Sequence, residues 1–222
     1  MELLWCILIG YGVGCINPAY IISKIRGFDI RKKGSGNAGA SNALIVLGKM
    51  LGVFCALFDI GKAVCAVLIT RYLFANFVHG FAVTATACIL GHIFPFYMKF
   101  RGGKGLACLA GVVLAFDWRV FIPFAIAEIA FALIVNYICV IPTSAAVIFP
   151  IVYAIMTHDV LGAALLLATG SVIIIRHKDN FIRIKNGTEL RLSFIWSKNK
   201  ELERVRGNVG ESIKDAGDVD LD

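Results

Sequence analysis

Three short polar blocks hold most of the residues in this sequence that could do chemistry. The first runs from Arg31 to Lys49, RKKGSGNAGASNALIVLGK. Three bases, Arg31, Lys32 and Lys33, lead into Gly34, Gly36 and Gly39, with Ser35, Asn37 and Asn42 set among and after them. Glycine tolerates positive φ and lets a ligand approach the backbone, and successive N–H groups in such a loop form an anion nest. The block reads either as a phosphate loop or as a basic loop that only sets membrane orientation. The second block is RGGKG, where Gly102, Gly103 and Gly105 flank the cation of Lys104 and offer free N–H groups. The third is Arg176-His177-Lys178-Asp179-Asn180. His177 can donate, accept or relay a proton near neutral pH, and Asn180, three residues on, shares its face if the helix continues. Alone, this block would be a snorkelling basic anchor.

Several tempting patterns fail on context. GSGNAG (34–39) matches GxGxxG, and Asp59 follows Gly39 by 20 residues. A dinucleotide fingerprint needs a preceding strand inside a βαβ unit, whereas a basic run precedes this one and an apolar run follows. RGGKG is not a P-loop, because no GxxxxGK[ST] is present. Ser35 has no base near it in sequence, so it reads as a hydrogen-bonding group rather than a nucleophile. The seven cysteines lie in or beside apolar runs, without CxxC or a His cluster, and read as small buried hydrophobes. No metal, no cofactor and no disulfide framework is expected.

These blocks must be positioned by membrane helices. The chain has 222 residues, 59% of them hydrophobic, with mean hydropathy +0.80 and only 17% charged. That is a polytopic, all-α integral membrane protein. The net charge is +7, and six of the seven excess charges fall within residues 1–175, in the loops. This suits topology and anionic head groups or substrates rather than nucleic acid. Apolar runs at Leu3–Ser23, Leu51–Thr70, Val78–Met98, Gly105–Phe116, Val120–Ile138, Val140–Met156 and Val160–Ile175 give about seven transmembrane helices. The fourth is short, so six spans plus a re-entrant segment is the competing count. Asn17-Pro18 should bend the first run. Charged residues inside runs need partners: Asp59 and Lys62, three apart, reach each other, while Glu128 has none nearby in sequence. The N-terminus lacks a basic n-region, so the first run is expected to be retained. Placing the N-terminus outside puts all three basic blocks on the cytoplasmic side, with the C-terminus also inside. Residues 1–191 form the membrane domain. Residues 192–222 form a polar cytoplasmic tail, with a short helix at 198–206 and disorder over roughly the last dozen residues.

GSGNAGASN with its closing LGK, LGHIFPFYMKFRGGKG and RHKDNFIRIKNGTE, in that order, resemble the bacterial acyl-phosphate:glycerol-3-phosphate acyltransferases. The resemblance runs from about Tyr11 to Glu189. It implies a seven-helix bundle in the bacterial cell membrane with its active site at the cytoplasmic face. It implies transfer of a fatty acyl group from acyl phosphate to the 1-hydroxyl of glycerol 3-phosphate, giving lysophosphatidic acid, with no cofactor. Carried over by position, Ser35, His177 and Asn180 are the catalytic candidates. Gly34, Gly36, Asn37, Gly39 and Asn42 would contact substrate phosphate. Gly102, Gly103, Lys104 and Gly105 would serve the glycerol-3-phosphate site, and Glu189 would be structural.

Two positions depart from the family's pattern. Its first motif usually continues N-x-x-R, and Ile45 stands at that fourth place. Its Tyr-Val-Ser is Tyr137-Ile138-Cys139 here. A slower or inactive paralogue is therefore one alternative. A small transporter of an anionic phosphorylated solute is another, motivated by Asp59, Lys62 and Glu128. A third role, contact with other lipid-synthesis enzymes, would use the charged tail.

Overall fold

Asn17 and Pro18 split the first apolar run into α1 (Glu2–Cys15) and α2 (Pro18–Ile25), which meet at 41° in the computed structural model. Proline cannot donate within a helix and suits its first position. Asn17 caps the restart, its Oδ1 accepting from Tyr20 N at 2.8 Å. The structure describes residues 1–195, 197, 200–201 and 203–208, which form helices joined by loops and contain no strand. After the first polar block come α3 (Ala40–Val46), α4 (Lys49–Leu73) and α5 (Gly80–Ile93). They are followed by α6 (Leu106–Phe116), α7 (Trp118–Val135), α8 (Val140–Thr157), α9 (Val160–Arg176) and α10 (Lys178–Lys185).

Among the described residues, four stretches are long and apolar enough to cross a membrane: α4, Gly80–Met98, α7 and α8. Counting the bent pairs α1–α2 and α9–α10 as single spans brings the number to six. The remaining apolar helix, α6, has 11 residues. At about 1.5 Å per residue it is roughly half the length of a hydrocarbon core. The protein is therefore an all-helical membrane protein with four to six spans by length and composition.

Lipid gives helices no hydrophobic drive to associate, so close packing must hold them. Glycine provides it where α1 meets α5: a Cβ on Gly14 would overlap Cys88 O, and one on Gly91 would overlap Tyr11 O. The core between α4, α5, α6, α8 and α9 is built from Ala63, Ala85, Ile89, Val112, Phe149 and Ile173. On α7, Ile126, Ile129, Leu133 and Ile134 are exposed, as a lipid-facing surface should be.

The charged residues inside the apolar runs are paired. Asp59 Oδ1 lies 2.7 Å from Lys62 Nζ, as their spacing predicts. The pair is off the line of a hydrogen bond, so the attraction is Coulombic. Glu128, which lacked a partner in the sequence, receives a hydrogen bond from Ser144 Oγ at 2.5 Å. The partner was not legible because it comes from α8, the next helix. The lone-carboxylate argument for a transporter loses its footing there.

Past α10 the chain stays against the body. Leu192 N donates to Asn136 O at 2.9 Å, and Ser193 N donates to Asn136 Oδ1 at 3.0 Å. Residues 200–201 and 203–208 are helical, in agreement with the short tail helix expected. The disorder expected for the last dozen residues lies outside the described residues.

Candidate active site

The first polar block is folded around one side chain. Asn42, at the start of α3, is fully buried. Its Nδ2 donates to Ile30 O (3.1 Å), Lys33 O (3.0 Å) and Asn37 O (2.8 Å), and its Oδ1 accepts from Ser35 N (2.8 Å). Asn42 was expected to contact substrate; its polar atoms instead shape the loop. Gly34 sits at φ +59°, and a Cβ there would overlap Asn42 Oδ1. Asn17 Nδ2 ties the far side of the loop through Ala38 O at 2.9 Å. With the backbone held this way, Ser35 and Gly36 stay exposed and Asn37 half-buried.

Arg31 links this loop to the second one. Its Nη1 donates to Met98 O at 2.6 Å and reaches Arg101 O at 3.4 Å. Asp29 holds the guanidinium from below, with Nε–Oδ1 at 2.9 Å and Nη2–Oδ2 at 2.7 Å. The guanidinium lies 4.8 Å from the centre of the Tyr20 ring. The Arg31 hydrogen bond pulls the Asp29 carboxyl down to about 2.

In the second block, the N–H groups of Gly102 and Gly103 are not free as expected. They donate to Ile93 O at 2.9 Å and His92 O at 3.1 Å, pinning the loop to the end of α5. A Cβ on Gly103 would overlap His92 Nε2, so this position admits only glycine without a shift of the ring. His92 is itself braced: Lys62 Nζ lies 3.0 Å from its Nδ1 and donates to Ile16 O at 2.6 Å. Asp59, His92 and Cys108 together have metal-ligand types in reach of one another. The Lys62 ammonium already supplies the positive charge at that point, so the cluster reads as a support for the loop.

Gly105, at φ +96°, turns the chain into α6. Among the described residues the N–H groups of Lys104 and Gly105 make no hydrogen bond, which leaves donors at a helix start suited to an anion. Lys104 Nζ donates to Asn180 Oδ1. Asn180 Nδ2 donates to Glu189 Oε1 at 2.6 Å, and Arg183 Nε donates to Glu189 Oε2 at 2.5 Å. Burial pulls Lys104 below the ordinary lysine range, and Arg183 and Arg176 add to that, against Glu189 and Asp179. His177 marks the 44° break between α9 and α10. Its Nδ1–H donates to Ile173 O at 2.8 Å, which leaves Nε2 as the acceptor.

The three blocks meet around a cleft of about 580 Å³ lined by Asp29, Arg31, Lys32, Gly36, Lys99, Arg101, Gly102 and Arg176. Five of these residues are bases, and the one acid is engaged by Arg31. Among the described residues, Arg176 Nε is buried without a partner, an orphan donor in a place that suits an anion. Of the residues expected at the site, Gly36 and Gly102 line the cleft, and Lys104 and Asn180 meet directly. Arg101 and Arg176 matter more here than their look as orientation charges suggested. The expected but missing arginine has a structural counterpart: Ile45 is 49% exposed and does not line the cleft. Cys139 is buried next to the third block, its thiol pushed up to about 11 by burial and by the Glu189 charge.

Comparison with known proteins bears on this geometry. Residues 4–187 match a family model described as glycerol-3-phosphate acyltransferase. A glycerol-3-phosphate acyltransferase of Thermotoga petrophila is 35% identical over 188 residues, covering 84% of this chain and 94% of its own. One from Thermoanaerobacter sp. is 36% identical, covering 83% and 93%. The crystal structure of PlsY (YgiH), an integral membrane glycerol 3-phosphate acyltransferase, in its glycerol 3-phosphate form superposes with a TM-score of 0.79 at 29% identity. That match covers 88% of this chain and 98% of the crystallised one. Its lysophosphatidic acid form gives 0.75, again at 29% identity, covering 86% and 95%.

Proposed function

The chain belongs to the glycerol-3-phosphate acyltransferase family, and from that we infer its reaction, substrates and site. It is a membrane acyltransferase of phospholipid synthesis, which places a fatty acyl group on glycerol 3-phosphate and forms lysophosphatidic acid. The observation that carries this reading is the basic cleft on which all three polar blocks converge. Both substrates of the proposed reaction carry phosphate, and five bases surround the cleft.

The donor in this reading is acyl phosphate. The 1-hydroxyl of glycerol 3-phosphate attacks the acyl carbonyl, a new C–O bond forms, and the bond to the phosphate oxygen breaks. Inorganic phosphate leaves with the bonding pair. The hydroxyl proton passes to His177 Nε2, which its Nδ1–H bond to Ile173 O leaves as the acceptor. Because the donor is already activated, positioning and charge stabilisation supply the catalysis. Lys104, oriented by Asn180, holds a substrate phosphate. Ser35 and Asn37, with Gly34, Gly36 and Gly39, present the first loop to the other. Gly102, Gly103 and Gly105 let the second loop approach closely.

The site faces the cytoplasm of a bacterial cell membrane, with the N-terminus outside, the C-terminus inside and α6 as a short seventh element. The gathering of bases at one end of the bundle supports that orientation. The reading is tested by incubating purified protein in liposomes with glycerol 3-phosphate and either acyl phosphate or acyl-CoA. Lysophosphatidic acid from acyl phosphate alone is expected; product from acyl-CoA alone would overturn the donor assignment.

A further inference from the structure

The family match ends at residue 187, but the residues just after it are gripped from further along the chain. Arg204 Nη1 donates to Gly187 O, and Arg204 Nη2 donates to Glu189 O at 2.6 Å. Asn208 Nδ2 adds a second bond to Gly187 O at 2.7 Å. Glu201 sets the guanidinium: its Oε1 accepts from Arg204 Nε at 3.0 Å and Nη2 at 2.5 Å, and from Arg191 N at 2.9 Å. Glu201 is only 5% exposed, although it lies in a polar tail.

This differs from an ordinary surface ion pair, which is worth about 0–1 kcal/mol. The Arg204 fork bonds two carbonyls two residues apart, and a planar guanidinium fixes their relative direction. Between those carbonyls and the second polar block stands one short series of contacts. Glu189 fixes Asn180, and Asn180 receives the Lys104 ammonium. The same stretch of tail is pinned at Asn136, the left-handed residue (φ +63°) that ends α7 ahead of Cys139.

We propose that Arg204, held by Glu201, is a positioning residue for acyl transfer. It clamps the 187–189 segment so that Glu189 presents Asn180 to Lys104. The tail helix is thereby part of the working enzyme. This rests on the active-site reading above.

The test uses full-length protein carrying Arg204→Ala, Arg204→Lys or Glu201→Gln. Arg204→Ala should raise KM for glycerol 3-phosphate about tenfold, the loss of roughly one charge-assisted bond's worth of orientation, with kcat within about threefold. Its unfolding midpoint in detergent should stay near wild type. Arg204→Lys, a single ammonium that cannot fork, should recover only part of the loss, and Glu201→Gln should fall between. Amide exchange at Thr188 and Glu189, read without turnover, should quicken in Arg204→Ala. An unchanged KM in Arg204→Ala overturns the proposal, as does a loss of kcat and KM that merely follows a large drop in midpoint. If wild type itself makes no product, the active-site reading fails, and unchanged exchange at Thr188 and Glu189 then overturns the clamp as well.

Discussion

Lys104 Nζ donates to Asn180 Oδ1 across 76 positions of sequence, and so joins the second polar block to the third. The contact puts a half-buried ammonium at the start of α6, beside backbone N–H groups that have no partner among the described residues. One substrate phosphate at that point would meet a cation and a helix start together.

The charge on Lys104 gives the enzyme an alkaline limit. Burial lowers its pKa, so the ammonium is lost at a lower pH than from an ordinary lysine, near 10.4. Since the charged form binds phosphate, kcat/KM should fall as pH rises through that lowered value. In Lys104→Arg, which stays charged, the surviving activity should show no such limb in a pH–rate profile. A limb at the same pH in the variant would refer it to another group.

Asn42→Ala removes four hydrogen bonds from the first loop and leaves Ser35 N–H and three carbonyls to find new partners. Each buried group left unpaired costs about 1–3 kcal/mol, so a net loss of roughly 2 kcal/mol or more is expected. Thermal unfolding in detergent measures it, and KM for both substrates should rise with it. A variant within about 0.5 kcal/mol of wild type would show that the loop does not depend on this hub.

The Asp29–Arg31 pair should lend the loop a sensitivity to acid. The Asp29 carboxyl titrates at about 2 in the folded chain, against about 3.9 in an unfolded one. A depressed folded value means the contribution is fully present above the unfolded pKa and disappears as pH falls through about 2. Unfolding midpoints between pH 4 and 2 should therefore drop more steeply for wild type than for Asp29→Asn. Parallel curves would contradict the pairing.

Lys62→Met would leave Asp59 buried beneath the second loop without its ammonium partner, facing His92 Nδ1 at 3.4 Å. Breaking one side of a buried pair costs about 3–5 kcal/mol, whereas replacing both sides is often close to neutral. Asp59→Leu with Lys62→Met should therefore be the more stable of the two variants by unfolding in detergent. If the double variant is the weaker, the cluster is more than a balanced support for His92 and Gly103.

Much of this architecture was legible from local pattern. The apolar runs mark α4, α5, α7, α8 and α9 to within a few residues, because lipid demands long apolar helices and punishes charge. Asn17-Pro18 announces its bend, and Asp59 with Lys62 announces its pair by helical spacing. What stayed hidden depends on contacts between distant segments. Asn42 looks like a ligand in sequence, and only the folded loop shows its amide turned inward. Gly102 and Gly103 look like open donors until α5 supplies carbonyls for them. Nothing local shows that Glu128 meets Ser144, or that Arg204 returns to Gly187. The length of α6, by contrast, was legible: its apolar run is already short, and Gly105 and Asp117 close it at its two ends.

Acyl transfer is assigned to the place where the three blocks meet, at Lys104, two residues past Gly102 of the cleft lining, and at His177, next to Arg176 of that lining. The direct measurement is the rate of lysophosphatidic acid formation from acyl phosphate and glycerol 3-phosphate by wild type, Lys104→Ala and His177→Ala in the same liposomes. Loss of a phosphate cation or of a proton acceptor should each lower kcat/KM by about a hundredfold or more, with the protein still folded. Wild-type rates in both variants would contradict the assignment of this site.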